Sequence, residues 1–421
     1  MDQTAANWQK EIYLNGFAGH RSKVPVDFSR LEAEAKRIMS RNAYAYIAGG
    51  AGVESTMTGN RKAFDRYKIV PRMLCDVGAR DTSISIFGHT LPSPFLMSPV
   101  GVLEMVHSQA DLAVANAAKR LSLPYIFSNQ ASFPMEECAA LMDTSPRWFQ
   151  LYWSKSNDLV ESFVQRAQRC GCTAIVVTLD TTLLGWRARD LDIGYLPFLE
   201  GKGIAQYTSD PVFQKMMDEP DLGPEVQRRV TPSSLVGLVK MVNRYPGNGF
   251  FKKLRSGRPL KAVRKFVSTY SNPRTTWNDL KLLREYTSLP IVLKGILHPD
   301  DARKAIDHGI DGIIVSNHGG RQVDGAIATF DALPAIAKVV NKKIPVLLDS
   351  GIRGGADAFK AIAMGATAVC VGRPYVYGLT IAGAQGVYEV LRNIMADFEL
   401  TMGLAGCRNI REIVENTLAR P

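Results

Sequence analysis

One run in the second half of the chain concentrates groups able to do chemistry: Ser316-Asn-His318-Gly-Gly-Arg321-Gln-Val-Asp324-Gly. Histidine titrates near neutral pH and can take a proton, while arginine stays charged and grips carboxylates. His318 and Arg321, three residues apart, can therefore serve one ligand as base and anion clamp. A lone histidine is more often structural, so the weight falls on its company. Gln150, Tyr152, Thr178, Asp180, Lys294 and Asp349 each stand at or near the end of an apolar, β-rich run. Two further runs close on Asp349-Ser-Gly351-Ile-Arg353-Gly-Gly and Val371-Gly372-Arg373-Pro. Glycine lets backbone N–H groups approach an anion, and arginine adds charge-assisted bonds, so these turns predict a phosphate-bearing cofactor.

The elements that must position these residues recur along the chain. The predicted strands are Pro94–Gly101, Tyr125–Asn129, Trp148–Trp153, Ala174–Asp180, Ile291–Gly295, Gly312–Asn317, Val346–Gly351 and Ala368–Pro374. Continuous apolar strands alternating with helical patterns predict a parallel sheet covered on both faces, and eight such units predict a closed (β/α)8 TIM barrel. The last four strands start 21, 34 and 22 residues apart, which suits strand–helix units. Helices are expected over Asp300–His308 and Asp357–Met364, each stopped by a glycine. Phe28–Ala48 reads as one helix before the barrel, and Ala384–Leu404 as a closing helix. About 110 residues separate the fourth strand from the fifth, far more than an ordinary connection needs. The expected organisation is a single domain over 1–421, with an N-terminal helical segment (1–92), a barrel (93–380), an insertion after strand 4 (190–275) and a C-terminal helical closure (381–421).

Charge is localised. The chain carries 51 Lys and Arg against 40 Asp and Glu, and the stretch Arg228–Lys265 holds eleven basic residues and no acidic one. The rest is therefore formally neutral, which argues against a nucleic-acid-coating protein. The stretch lies in the insertion and reads as a solvated or subunit-facing surface; docking to an anionic membrane or partner is the alternative. No apolar run approaches the length of a membrane span, and Met1–Lys23 lacks the apolar core of a signal peptide. Of six scattered cysteines only Cys170 and Cys172 are close, giving neither a zinc site nor a disulfide framework and predicting a reduced, cytoplasmic protein.

From about Phe28 to Cys407 the chain resembles the FMN-dependent 2-hydroxy acid oxidase and dehydrogenase family, with the Ser316–Gly325 run as the most specific motif. The resemblance implies FMN as cofactor, His318 as base and Asp180, in T-L-D-T, as its partner. It implies carboxylate binding by Arg321 and Arg187 and substrate contacts by Tyr46, in A-Y-I-A-G-G-A, and Tyr152, in F-Q-L-Y-W. Implied flavin contacts are Pro99, Val100, Gly101, Ser128, Gln150, Thr178, Lys294 and Ser316, with Asp349, Gly351, Arg353, Gly372 and Arg373 at the phosphate. Two departures bear on subtype. Ser128-Asn129-Gln130 replaces the substrate-facing tryptophan of glycolate oxidase, and Gly101 replaces its alanine, leaving room and bare backbone beside the flavin. The wording S-N-Q-A-S, P-R-W-F-Q-L-Y-W and G-I-A-Q-Y-T-S-D-P, with the long insertion, is most similar to lactate 2-monooxygenase.

The expected activity is oxidation of a small L-2-hydroxy acid, with L-lactate and O2 giving acetate, CO2 and water. A plain oxidase, releasing 2-keto acid and peroxide, and an acceptor-linked dehydrogenase are the rival enzymes. A catalytically silent barrel gripping nucleic acid through the basic stretch is the rival from another class; retention of every catalytic residue type opposes it. The resemblance also implies a homo-oligomer, a tetramer or larger.

Overall fold

Alternation along the strands explains both the barrel and the site above it. Leu96, Ile126, Trp148, Val176, Val292, Ile314, Leu347 and Cys370 point inward and form one buried cluster. Their neighbours, such as Phe95, Met97, Tyr125 and Ile313, pack outward in the larger cluster beneath the helices. A side-chain period of two then makes the next inward position on each strand Ser98, Ser128, Gln150, Thr178, Lys294, Ser316, Asp349 and Gly372. This polar layer lies directly above the apolar one, and Ser98, Lys294, Asp349 and Gly372 of it line the cleft.

A computed structural model describes residues 5–219 and 231–419. Eight parallel strands close a barrel in sequence order: β1 (Phe95–Met97), β2 (Tyr125–Phe127), β3 (Arg147–Leu151), β4 (Ile175–Thr178), β5 (Ile291–Ile296), β6 (Gly312–Val315), β7 (Val346–Leu348) and β8 (Ala368–Val371). The ring closes where Val371 pairs with Met97, and Thr178 lies level with Lys294. The TIM-barrel expectation holds. Most strands stop two to four residues earlier than predicted, because the polar ends leave the ladder to form the strand-to-helix loops. The antiparallel hairpin Ile84–Ile86 with His89–Leu91 sends Ile84, Ile86 and Leu91 into the inner cluster, covering the end of the barrel away from the polar layer.

One helix expectation needs correction and another needs an addition. Phe28–Ala48 is two helices, Phe28–Ile38 and Arg41–Ala48, because Ser40 leaves the helical conformation and caps the second by accepting from Ala43 N at 3.2 Å. The closing helix Ala384–Leu404 is present as expected, and across a non-helical break at Ala382 and Gly383 it is preceded by a helix that the sequence reading missed, which begins at Arg373. Its start directly after β8 places a helix N-terminus beside Gly372.

The insertion folds into short helices, including Ala205–Thr208, Pro211–Met216, Pro232–Arg244, Phe250–Ser256 and Arg258–Thr269. Arg228 and Arg229 of the basic stretch lie outside the described residues. Several of the remaining cations are engaged internally. Arg244 Nε pairs with Glu104 at 2.8 Å, Lys240 with Glu200 at 3.5 Å and Arg258 with Asp218 at 2.7 Å, while Lys253 donates to Tyr245 O at 2.8 Å. Much of this charge fastens the insertion to itself and, through Glu104, to the loop after β1.

Candidate active site

His318 follows β6 in a left-handed conformation, φ 57°, with Gly319 and Gly320 also at positive φ. The turn is fixed by its surroundings: a Cβ on Gly320 would lie 2.7 Å from Met57 N, so only glycine fits there. Ser316 Oγ accepts from His318 N at 3.1 Å, and His318 Nδ1 meets Asp180 Oδ1 at 2.7 Å. Thr181 Oγ1 donates to the same carboxylate oxygen at 2.9 Å. Burial pushes Asp180 upward, but the charges of His318 and Lys294 outweigh it and hold the group at about 2. Burial lowers His318, helped by Lys294 and opposed by Asp180. The ring is therefore neutral at neutral pH, with its Nδ1 proton toward the carboxylate and Nε2 left as the basic nitrogen.

Lys294 Nζ stands 3.1 Å from Asp349 Oδ2 and donates to Ser316 Oγ at 2.9 Å. Burial works against its charge, yet Asp349 and Asp180 raise its pKa, so the floor carries a fixed cation. Asp349, expected at the phosphate, is the counter-ion of this lysine and also lines the cleft together with Gly351, Arg353, Gly372 and Arg373. On the neighbouring strands Gln150 Nε2 donates to Thr178 Oγ1 at 3.0 Å, and Gln150 Oε1 accepts from Ser128 Oγ at 3.3 Å. Ser128, Gln150 and Thr178 thus form one chain across β2 to β4, behind the cleft lining.

Tyr46 comes from the helix Arg41–Ala48 and joins residues far away in sequence. The guanidinium carbon of Arg321 is 4.9 Å from its ring centre and that of Arg187 5.9 Å. Arg321 also donates to Gly49 O at 2.8 Å and to Tyr46 O, and Arg187 to Gln322 Oε1 at 3.0 Å. Burial, with the charge of Arg187 beside it, brings Arg321 down to about 9. Tyr152, from the end of β3, lines the same cleft, and burial pushes it up to about 12. Two buried guanidinium groups beside a histidine base form a receptor for a carboxylate.

A second cationic end holds Arg353 and Arg373. Burial, together with the charge of Arg373, lowers Arg353 to about 10, and its buried Nε has no partner among the described residues. Arg373 spends its donors on Ile47 O, Gly319 O and Gly49 O, each at 3.0 Å, and is itself lowered by burial. Gly372 caps the helix that begins at Arg373, and a Cβ on it would meet nothing nearer than 3.6 Å, so this backbone is open. An orphan guanidinium N–H, two guanidinium groups with no direct ion pair among the described residues, and an open helix N-terminus fit a phosphate group. Gly351 lines this end too, and only glycine fits there, since its φ is 107° and a Cβ would lie 2.8 Å from Asn60 O.

The cleft joining both ends has a volume of about 1060 Å³ including its open mouth. Pro99, Val100 and Gly101 form part of its wall. The room expected at Gly101 is limited: a Cβ there would stand 3.0 Å from both Gln130 Cβ and Gln130 O. The next residue, Val102, is left-handed at φ 59°, unusual for a β-branched side chain, and donates to Gln130 O at 2.9 Å. Sequence reasoning missed several lining residues: Ser98, whose period-two position on β1 was a readable signal, and Leu184, Phe198 and Tyr270, for which the chain carries no local signal. It also missed Asp190, buried near Arg321 and Arg187, whose Oδ1 lacks a partner among the described residues and whose pKa burial raises.

The sequence profile of the FMN-dependent dehydrogenase family matches residues 35–420. The chain is 40% identical over 396 residues to an L-lactate oxidase of Lysinibacillus sphaericus (strain C3-41), covering 94% of this chain and 93% of that relative. It is 36% identical over 389 residues to 2-hydroxyacid oxidase 1 of Homo sapiens, covering 92% of this chain and 95% of the relative. Among solved structures, a crystal structure of mandelate oxidase superposes with a TM-score of 0.75 at 33% identity, over 94% of this chain and 98% of the other.

Proposed function

The chain belongs to the FMN-dependent dehydrogenase family, whose members include 2-hydroxy acid oxidases, and from that premise we propose that its substrate is L-lactate and its products with O2 are acetate, CO2 and water. The observation that carries the substrate class is the His318–Asp180 pair at 2.7 Å, set in one cleft with Arg187 and Arg321.

In this reading FMN supplies the two-electron acceptor. Arg187 and Arg321 hold the substrate carboxylate in charge-assisted bonds, which fixes the α-carbon and its hydroxyl relative to His318. His318 takes a proton at Nε2. Asp180, ionised because His318 and Lys294 hold it near 2, stabilises the imidazolium through Nδ1. Lys294 offers its charge where negative charge develops during oxidation. Tyr46 and Tyr152 add phenolic donors at the same end of the cleft. Arg353 and Gly372 bind the cofactor phosphate, and Arg373 adds its charge there. Pyruvate held in the cleft with the peroxide that O2 forms on accepting the two electrons then loses CO2, giving acetate and water.

A plain oxidase is the second reading, favoured by the similarity to a protein named L-lactate oxidase. Anaerobic flavin reduction across a panel of 2-hydroxy acids, followed by product analysis in air, separates them. Acetate and CO2 support the proposal; stoichiometric pyruvate and peroxide leave the plain oxidase. Reduction by lactate with little oxygen uptake, reversed by a quinone, makes it an acceptor-linked dehydrogenase. We also read the protein as a cytoplasmic homo-oligomer, tetrameric or larger. Exposed apolar side chains around the cleft, such as Val53, Trp186 and Val323, support further burial between subunits, and sedimentation across a concentration range tests it. Among the described residues no helix is long and apolar enough to cross a membrane.

A further inference from the structure

The α-carbon of a 2-hydroxy acid carries four substituents. Under the proposed function, on which this inference rests, the carboxylate is taken by Arg187 and Arg321, and the hydroxyl and hydrogen are the reacting groups beside His318. The fourth substituent, the side chain that distinguishes one 2-hydroxy acid from another, has to meet the remaining lining. Two aromatic residues of that lining, Phe198 and Tyr270, come from the long connection between β4 and β5.

Their positions bracket the substrate end of the cleft. Phe198 stands on the Gly101 side: a Cβ on Gly203 would lie 3.3 Å from Phe198 Cε1 and 3.0 Å from Gln130 O, and Gln130 is the residue that a Cβ on Gly101 would press. Tyr270 stands on the side of the carboxylate clamp, where Arg187 and Tyr46 are the charges that act on its hydroxyl, with burial the larger influence. The two ring centres are 6.4 Å apart, with the planes inclined by 30°. Behind them Phe266 stacks on Tyr270 at 5.0 Å and touches Phe198 at 5.1 Å, and Tyr207 meets Phe266 edge-on at 4.8 Å. Aromatic packing of this kind makes a stiff wall rather than a yielding loop. Leu184, the other apolar residue at this end, adds no charge.

We propose that Phe198 and Tyr270 are specificity-determining residues: they close the side-chain end of the substrate cleft and restrict the enzyme to 2-hydroxy acids with short, uncharged, apolar side chains. A second carboxylate on the substrate would face these rings with no cation of its own, and a long or branched side chain would collide with them. The restriction is one of shape, so the Tyr270 ring matters and its hydroxyl does not.

The test uses the FMN-loaded protein and its variants Phe198→Leu, Phe198→Ala, Tyr270→Leu and Tyr270→Phe. For each, the rate of anaerobic flavin reduction divided by substrate Kd is measured for L-lactate and for L-2-hydroxy-4-methylpentanoate. Calorimetry gives the matching Kd ratio for pyruvate and 4-methyl-2-oxopentanoate, a binding readout independent of turnover. One methylene in an apolar pocket is worth roughly 10-fold or more in discrimination. Phe198→Leu, Phe198→Ala and Tyr270→Leu should therefore raise the long-to-short ratio at least ~10-fold in both measurements, and Tyr270→Phe should leave it within ~2-fold. Ratios unchanged in all four yellow, folded variants would overturn the wall while leaving the 2-hydroxy acid reading intact. An unaltered enzyme reduced by no 2-hydroxy acid would overturn both.

Discussion

Lys294 and Asp349 form an ion pair across the barrel floor, Nζ to Oδ2 3.1 Å, with both side chains almost wholly buried. The strand between them contributes Ser316, whose Oγ accepts from the lysine at 2.9 Å. Removing one member leaves the other as an uncompensated buried charge. Lys294→Met should cost the apoprotein about 3 kcal/mol in denaturant unfolding. Adding Asp349→Leu to it should recover much of that loss, and a double variant no better than the single one would show that the pair is not the source.

His318→Gln should bind FMN and purify yellow, because Nε2 makes no contact that holds the loop. Loss of a positioned base should slow flavin reduction by L-lactate at least ~10²-fold in anaerobic stopped flow. An unchanged rate would assign the base elsewhere.

The pH profile follows from burial. The charged imidazolium of His318 is disfavoured in the cleft, so the pKa lies below the ordinary 6.5 and the base is already neutral at pH 7. The acidic limb of kcat/KM should therefore fall below pH 6.5, with activity flat through neutrality. Asp180 pulls the histidine upward, so Asp180→Asn should move the limb to still lower pH while also reducing the rate. A limb centred above 7 would contradict the electrostatics of the pair.

Arg353 can be separated from the rest of the cofactor site by using a ligand without phosphate. With its buried Nε unpartnered, Arg353→Met should weaken FMN binding about 10-fold, the scale of one charge-assisted hydrogen bond. Riboflavin binding, measured by fluorescence quenching, should change less than ~2-fold. Equal losses for both ligands would mean that the arginine supports the fold rather than the phosphate. Flavin released by denaturation should be FMN and not FAD.

Product fate tests the insertion as a cover over the cleft. Arg244 and Glu104 join the helix Pro232–Arg244 to the loop after β1, and Glu104 Oε1 also accepts from Gly203 N at 3.2 Å. A partly exposed pair is worth about 1 kcal/mol at most. Arg244→Gln should therefore shift the acetate-to-pyruvate ratio toward pyruvate and peroxide by no more than ~5-fold, with the rate of flavin reduction unchanged. Gly101→Ala should shift the same ratio by displacing Gln130. A ratio unmoved by either change would remove the insertion from control of product release.

Residue order alone determines the barrel and most of its chemical floor. Each strand is a short apolar segment whose inward positions repeat every second residue, so Val176 leads to Thr178, Val292 to Lys294 and Ile314 to Ser316 by local geometry. His318, Arg321, Arg353 and Arg373 were legible for a related reason: each sits in a glycine-rich turn immediately after a strand. Tertiary structure decided what those groups face. Tyr46 reaches Arg321 across 275 residues, Asp349 pairs with Lys294, and Arg244 finds Glu104. Phe198 and Tyr270 enter the cleft from a segment whose pattern, short helices and basic residues, is that of an ordinary surface. Charge pairing and aromatic stacking carry no periodicity, because their partners are chosen by three-dimensional proximity, and that proximity exists only once the barrel has closed.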